Sequence, residues 1–578
     1  MTAERVTYWQ DRTGVQTGVQ TGVRCNNRLQ YLPLQVSRRP SKGQTMDPAV
    51  PLPLAPPLLS RATESAKDWA ILHGVAMRTE EEPNSSDVVN FAPFLLLPSP
   101  VPRALFDQAK AVQRDFNLLV HRLSQDADFL SSCLKSTIQV DDFTCRLFRI
   151  YEQVRREGVA QPVCLGLHRS DYMLDDPCRS GQENGEPVAK QPRLDQLQLK
   201  QIEINCIASS FGGLGTQMPG LHRHVLRLCG ASRFTADQHL PQNRAMSSVA
   251  GGLAAAWELY GEQSAIIVFV VQEENRNAMD QRWLEFAAMD RNPSIRVRRY
   301  SLMEIHARGE LRPDKTLLVD GLEVAVAYFR AGYIPTDYPT EQEWKARLNI
   351  EQSRAIKCPC ISYHLAGTKK VQQELAQPGV LEQFLEDPAA VARVRATFAG
   401  QYTLELVRKS NGSSSNELHV KRPELLLGPD PKGSAKFSTK DSTLDGKGPQ
   451  GDRTVQMVMS DSGRFVMKPQ REGGGNNIFG DDIPAALNNM ADPKERTAYV
   501  VMDRVRPAVV SNYMVRPGRD PALTEAVSEL GIFGVFIGKG NEVVLNQEGG
   551  HLLRTKPSST EDGGVASGNA LLDSPYLI

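Results

Sequence analysis

The run AIIVFVV at 265–271 is apolar at odd and even positions alike, so a strand built from it must be buried on both faces. Such a strand belongs in the middle of a parallel sheet with helices on either side. QRWLEFAAM follows with helical spacing and IRVRRY returns as a strand, which together make a β-α-β unit. LEVAVAYF is a further strand that ends at Phe329 and delivers RAGY into a loop. Upstream, Pro102 opens a segment in which Leu105, Ala109, Val112, Phe116 and Leu119 recur at intervals of four and three, one face of an amphipathic helix. Downstream, RFVMK, AYVVMD and IFGVFI read as strands of a second unit with mixed sheets, so the fold class is α/β.

A chain of 578 residues holds roughly two to four units of about 100–200 residues. Lys+Arg and Asp+Glu are equal at 67 each, which gives no electrostatic reason for a nucleic-acid or membrane partner. No apolar run approaches the roughly 18 residues of a membrane span, and a soluble protein is expected. The nine cysteines are an odd number without zinc spacing, so a reduced cytoplasm is expected and the Cys358/Cys360 pair reads as buried thiols. The first 45 residues carry a TGVQTGVQTGV repeat and read as a disordered tail, or as sequence ahead of a start at Met46. Two polar stretches, about 174–196 and 408–452, read as surface insertions.

Three places could carry chemistry. At 464–477 the strand RFVMK runs into PQREGGGNN, where glycines let backbone N–H groups approach phosphate oxygens and Lys468 adds a point charge. No G-K-[ST] follows, so this is not a P-loop, and by itself a glycine triplet is also an ordinary turn. Glu472 beside it makes sense with a magnesium ion between carboxylate and phosphate. QIEIN at 201–205 alternates as a strand, with Glu203 and Asn205 on one face; an ordinary half-exposed strand alternates in the same way. The third is HLLRTKPSSTEDGGVASG at 551–568, with Arg554 and Lys556 ahead of an acidic, glycine-rich loop, equally readable as a solvated loop.

Taken in order, QIEIN with SSFGG, RAGY, LAGTKKVQQE, KPQREGGGNN, SELGIFGV and LLRTK with DGGVASG resemble the eukaryotic glutathione synthetase family, from about residue 60 to the end apart from the two insertions. The resemblance implies an ATP-grasp architecture with a smaller α/β substrate-binding domain inserted and a glycine-rich lid, usually as a homodimer. The expected parts are an N-terminal extension at 1–57, the first part of the main domain at 58–262, the inserted domain at 263–367 and the ATP-binding part with its lid at 368–578.

It also implies a reaction: ATP phosphorylates the cysteinyl carboxylate of γ-glutamylcysteine, and glycine's amine attacks the acyl phosphate to give glutathione, ADP and phosphate. Two Mg²⁺ ions would be held by Glu203, Asn205 and Glu472. The nucleotide would be met by Glu203, Lys369, Lys468, the loop Pro469, Gln470, Arg471, Glu472, Gly473, Gly474, Gly475, Asn476 and Asn477, then Phe479. The backbone of Met502, Asp503, Arg504 and Val505 would meet adenine, and Glu529, Lys556 and Asp562 complete the site. The dipeptide would be held by Arg169, Ile207, Ala208, Ser209, Ser210, Asn275, Arg276, Asn277, Gln281, Arg330, Ala331, Gly332, Tyr333 and Arg554, with Val565 and Ala566 over glycine. Arg169, Lys468, Glu472 and Arg554 would be the catalytic set.

Three positions depart from the family pattern: Asn275 replaces an acidic residue, Ala331 an aspartate, and Phe479 a tyrosine. The alternatives are a related ligase with another acceptor such as β-alanine, and a catalytically impaired nucleotide-binding relative. A protein kinase is disfavoured because neither H-R-D nor D-F-G accompanies the glycine loop.

Overall fold

A computed structural model describes residues 46–178, 193–406, 450–471, 475–561, 563–565 and 568–578. Its backbone is a seven-stranded sheet ordered Val509–Val515, Phe94–Leu95, Leu571–Asp573, Glu542–Pro557, Ala522–Lys539, Val163–Asp175 and Gln198–Asn205. All pairings are antiparallel except Leu571–Asp573 with Phe94–Leu95. The long strands are apolar on their inner face, and the amphipathic helix Arg103–Gln125 lays Phe106, Ala109, Val112, Phe116 and Leu119 into the core. Its exposed positions, Ala104, Asp107, Ala111, Arg114 and Gln125, carry no large apolar side chain, as the spacing requires.

A second sheet uses only strands between Ile266 and Cys358. Ile266–Val270 is fully buried and lies between Val297–Tyr300 and Leu322–Phe329, parallel to both, as its double-sided hydrophobicity demands. Ile356–Cys358 adds a further parallel strand, and Leu317–Val319 and Gly309–Leu311 continue antiparallel. A third sheet of four antiparallel strands, Gln401–Thr403, Tyr499–Asp503, Phe465–Pro469 and Ile478–Phe479, has its own small core of Leu404, Val458, Phe465, Met467, Ile483 and Val501.

Residues 46–57, expected to belong to an N-terminal extension, are instead packed. Met46 joins the main core, the Leu54 amide donates to the Tyr513 hydroxyl at 3.0 Å, and a helix starts at Pro56, where its missing N–H is harmless. Prolines interrupt secondary structure in PLPLAPPLL without preventing burial. The polar stretches are also shorter than expected. Leu174 and Leu194 are buried, and 450–452 already belong to the helix Gln450–Ser460. Residues 179–192 and 407–449 lie outside the described residues.

Candidate functional site

One face of the large sheet carries a row of ionisable side chains across four adjacent strands. Arg554 stands opposite Glu529, Gly531 opposite Asp171, Asp171 opposite Glu203, and Arg169 opposite Asn205. Residues two apart on a strand share a face, so Arg169 and Asp171, Glu529 and Gly531, Arg554 and Lys556, and Glu203 and Asn205 all point the same way. A register shift at Ile202 turns that residue to the site as well, a β-bulge that the plain alternation of QIEIN does not reveal.

Across from this floor stands the four-stranded sheet as a roof, and between them lies a cavity of about 480 Å³. Floor residues Arg169, Glu203, Asn205, Glu529, Arg554 and Lys556 line it, as do Lys468, Asn477, Phe479, Met502, Asp503, Arg504 and Val505 from the roof and its connections. The wall has an apolar part in Met173, Ile202, Val466, Met502, Pro507 and Val527, suited to a flat base. Its ionic part has six cations, Arg169, Lys468, Arg504, Arg506, Arg554 and Lys556, against the carboxylates of Glu203, Asp503, Glu529 and Glu561. That excess suits a polyanionic ligand.

The ionic groups hold one another. Lys369 lies 3.1 Å from Glu203, and Lys468 donates to the Ile202 carbonyl at 2.8 Å, joining roof to floor. Burial alone would raise the Glu203 carboxyl, but Lys369, Lys468 and Arg554 hold it down to about 2. Burial pulls Lys468 down to about 8 against the attraction of Glu203. Arg554 is paired with both Glu529 and Asp171, which, against the cost of burial, raise its pKa above the ordinary arginine value. Asn205 uses Nδ2 to donate to Asp171 at 2.9 Å and to the Arg169 carbonyl at 3.3 Å, so its amide oxygen is the end left to meet a cation. Adjacent hard oxygen donors of this kind, one of them anionic, fit magnesium. Glu472, Gly473, Gly474, Asp562 and Ala566 lie outside the described residues.

Family models and relatives can be set beside this geometry. The model described as eukaryotic glutathione synthase, ATP binding domain, matches residues 58–441 and 439–577. The chain is 46% identical to a glutathione synthetase of Xenopus laevis and 44% to that of Homo sapiens, each match covering 90% of this chain and 97% of the relative. It is 41% identical to the chloroplastic glutathione synthetase of Solanum lycopersicum, over 90% of this chain and 85% of the relative. This chain belongs to the eukaryotic glutathione synthetase family, and with it to the ATP-dependent ligases of glutathione biosynthesis. Among solved structures, the apo form of a glutathione synthetase-like effector from Globodera pallida shares the fold, with TM-score 0.65 and 23% identity over 91% of this chain and 98% of that one.

Several residues expected from the family resemblance lie away from the cavity or have other partners. Arg471 pairs with Asp141 at 2.6 Å and stacks over Phe143, and Gln470 accepts the Lys370 amide, so neither side chain faces the cavity. The N–H groups of Asp503 and Arg504 are bonded to the carbonyls of Gly400 and Arg464 at 2.8 Å each, and so are not available to a base. Gly475 and Asn476 are exposed, Pro469 ends its strand half-buried, and Val565 sits in the core.

The residues expected at the dipeptide form two linked groups. Arg330 donates to the Ser209 carbonyl at 3.0 Å and to the Ser210 hydroxyl at 2.5 Å, and Arg169 donates to the Ser210 carbonyl at 3.1 Å, so the loop 207–210 lies between two arginines. Ala208 and Phe211 both have positive φ, 52° and 69°, a conformation rare outside glycine that the surroundings must hold. Asp280 does so, taking the amides of Phe211, Gly213 and Leu214 at 2.7, 2.8 and 3.1 Å at the start of the helix Gly212–Leu228. Beside Asp280, Asn275 and Gln281 bond each other, and Arg299 adds a bond to Gln281. Ile207, Ala331 and Asn277 are packed here, Gly332 has φ of 89°, and the Tyr333 hydroxyl meets Gln272. Arg276 is half-exposed and paired with Glu80, away from this group.

Asp171 is missing from the expected set altogether. The only sequence signal for it was its place two residues after Arg169 on a strand, which could also have meant a surface ion pair. The pair exists, but it is buried.

Proposed function

We propose that this chain joins γ-glutamylcysteine to glycine, with ATP bound between floor and roof. What carries the reading is the ionic row on the floor facing Lys468 across a cavity whose wall is part apolar and part ionic, with cations in excess. A carboxylate repels nucleophiles, and converting it to an acyl phosphate supplies a leaving group. Lys468, Lys369 and Lys556 draw the phosphates into register and offset charge on the transferring phosphoryl group, which needs positioning and electrostatics rather than a dedicated acid or base. Arg169 and Arg554 orient the dipeptide, and Arg330 shapes the loop 207–210 on which it would rest. Glu203 and Asn205, with Glu472, would hold two magnesium ions, which would supply positive charge to offset that of the phosphates. Phe479, with Arg504 over its ring at 5.6 Å, would flank the base.

The reading extends to a main body of 58–262 and 368–578 with 263–367 as an inserted domain, supported by the second sheet's confinement to that segment. It includes a cytoplasmic homodimer. Every described cysteine is free, which agrees with a reducing compartment, and no helix among the described residues is long and apolar enough to cross a membrane. ADP release that needs both γ-glutamylcysteine and glycine is the expected result. ATP binding without turnover would favour an impaired relative, and a higher kcat/KM with β-alanine would favour the other acceptor. Sedimentation tests the dimer.

A further inference from the structure

Asp171 is fully buried and does not line the cavity, yet it touches three groups that do. Its Oδ1 accepts from Arg169 Nε at 2.6 Å, and its Oδ2 accepts from Arg169 Nη2 at 2.8 Å, Asn205 Nδ2 at 2.9 Å and Arg554 Nη2 at 3.0 Å. The donors come from three different strands, Val163–Asp175, Gln198–Asn205 and Glu542–Pro557. One donor on Oδ1 and three on Oδ2, with the carboxylate fully buried outside the cavity wall, commit it to the protein's own groups and not to substrate. The sheet is built around this contact. A Cβ on Gly531, the residue opposite, would stand 2.7 Å from Asp171 Oδ1 and 2.8 Å from Arg169 Cδ, so only glycine leaves room for the pair.

We propose that Asp171 is a positioning residue for the ligase reaction, holding Arg169 and Arg554 in one fixed arrangement so that the dipeptide's carboxylates meet a preformed pair of guanidinium groups. The inference rests on the functional reading above, in which those arginines orient the dipeptide. A guanidinium with one fork engaged by a fixed carboxylate has lost its torsional freedom before substrate arrives, so binding does not have to order it. Asparagine at 171 would replace an acceptor oxygen with an NH₂ group facing other donors, and the arginines would be released.

The test compares the full-length chain with Asp171→Asn and Gly531→Ala, measuring KM for each substrate, kcat, equilibrium binding of γ-glutamylcysteine and thermal midpoint. Asp171→Asn should weaken dipeptide binding and raise its KM by about 10- to 100-fold, the range for charged hydrogen bonds. KM for ATP should rise by much less, because Asn205, which Asp171 also holds, keeps its bond to the Arg169 carbonyl. Gly531→Ala keeps every charge and should shift the same two quantities in the same direction by less; it decides the matter if Asp171→Asn does not fold. Parallel changes in dipeptide and ATP constants, or a lowered midpoint with both constants unchanged, would mean a merely structural carboxylate and overturn the inference. A wild-type chain that binds no dipeptide overturns the functional reading and this inference with it. Normal wild-type binding with unchanged variants overturns this inference alone.

Discussion

The floor and roof of the cavity are built differently. On the floor, Arg169, Asn205, Glu529 and Arg554 stand on long strands backed by the main core; Asn205, Glu529 and Arg554 bond side chains on a neighbouring strand, and Arg169 bonds Asp171 on its own. The roof places Lys468, Phe479, Met502 and Asp503 on short strands over a core of six buried residues. Preorganised charges belong on the stiffer side, where a displaced group would disturb many neighbours, whereas a small sheet with little buried apolar area opens at lower cost. On the proposed reading, the groups that must not move thus lie opposite those that admit the nucleotide.

Four outcomes would break or sharpen that contrast. Phe465→Ala removes a fully buried ring from the roof core and should cost about 3–5 kcal/mol, confined to the roof. Hydrogen exchange should rise in the four-stranded sheet and not in Ala522–Lys539; a uniform rise would show that floor and roof unfold as one. Next in size, Lys468→Met should lower kcat by on the order of 10²-fold, as for loss of a principal electrostatic stabiliser, with the fold kept. Wild-type turnover in that variant at saturating ATP would remove Lys468 from the chemistry.

Arg169→Lys is smaller. Lysine cannot make the two-pronged bond to Asp171, and dipeptide kcat/KM should fall by about 1.5–3 kcal/mol with the ATP constant little changed. Equal losses for both substrates would count against a floor specialised for the dipeptide. The smallest effect expected is from deleting 410–446, with activity and midpoint unchanged because polar stretches bury too little apolar surface to support a fold. The cut must stop short of Gly451, where a Cβ would lie 2.2 Å from the Glu405 carbonyl oxygen. Loss of soluble protein would contradict the prediction.

Periodicity made much of the scaffold legible. The buried strand Ile266–Val270, the helix face from Phe106 to Leu119 and the strand entering the glycine loop all follow from spacing alone. Glu203, Asn205 and Arg554 of the row were reachable through motif resemblance, because each sits in a recognisable segment. What periodicity could not give was register. Nothing local says that Asp171 stands beside Glu203 on one side and Gly531 on the other, since those residues are 32 and 360 positions away and meet only through strand pairing. The bulge at Ile202 is hidden for the same reason, because it belongs to a pair of strands and not to either one. Arg471 misled in the opposite way: it lies in the right motif, but its long side chain reaches Asp141.

Asp280 has a consequence for how this protein distinguishes its ligands. A helix start with open amides is a receptor for any anion of suitable size. At Gly212–Leu228 that receptor is filled permanently by the protein's own carboxylate, brought from the helix Ala278–Arg291. On the proposed reading, the loop ahead of it therefore reads outline and not charge, and recognition of negative groups is delegated to Arg169 and Arg554. Over evolutionary time, the shape of an accepted substrate and its charge could then drift independently.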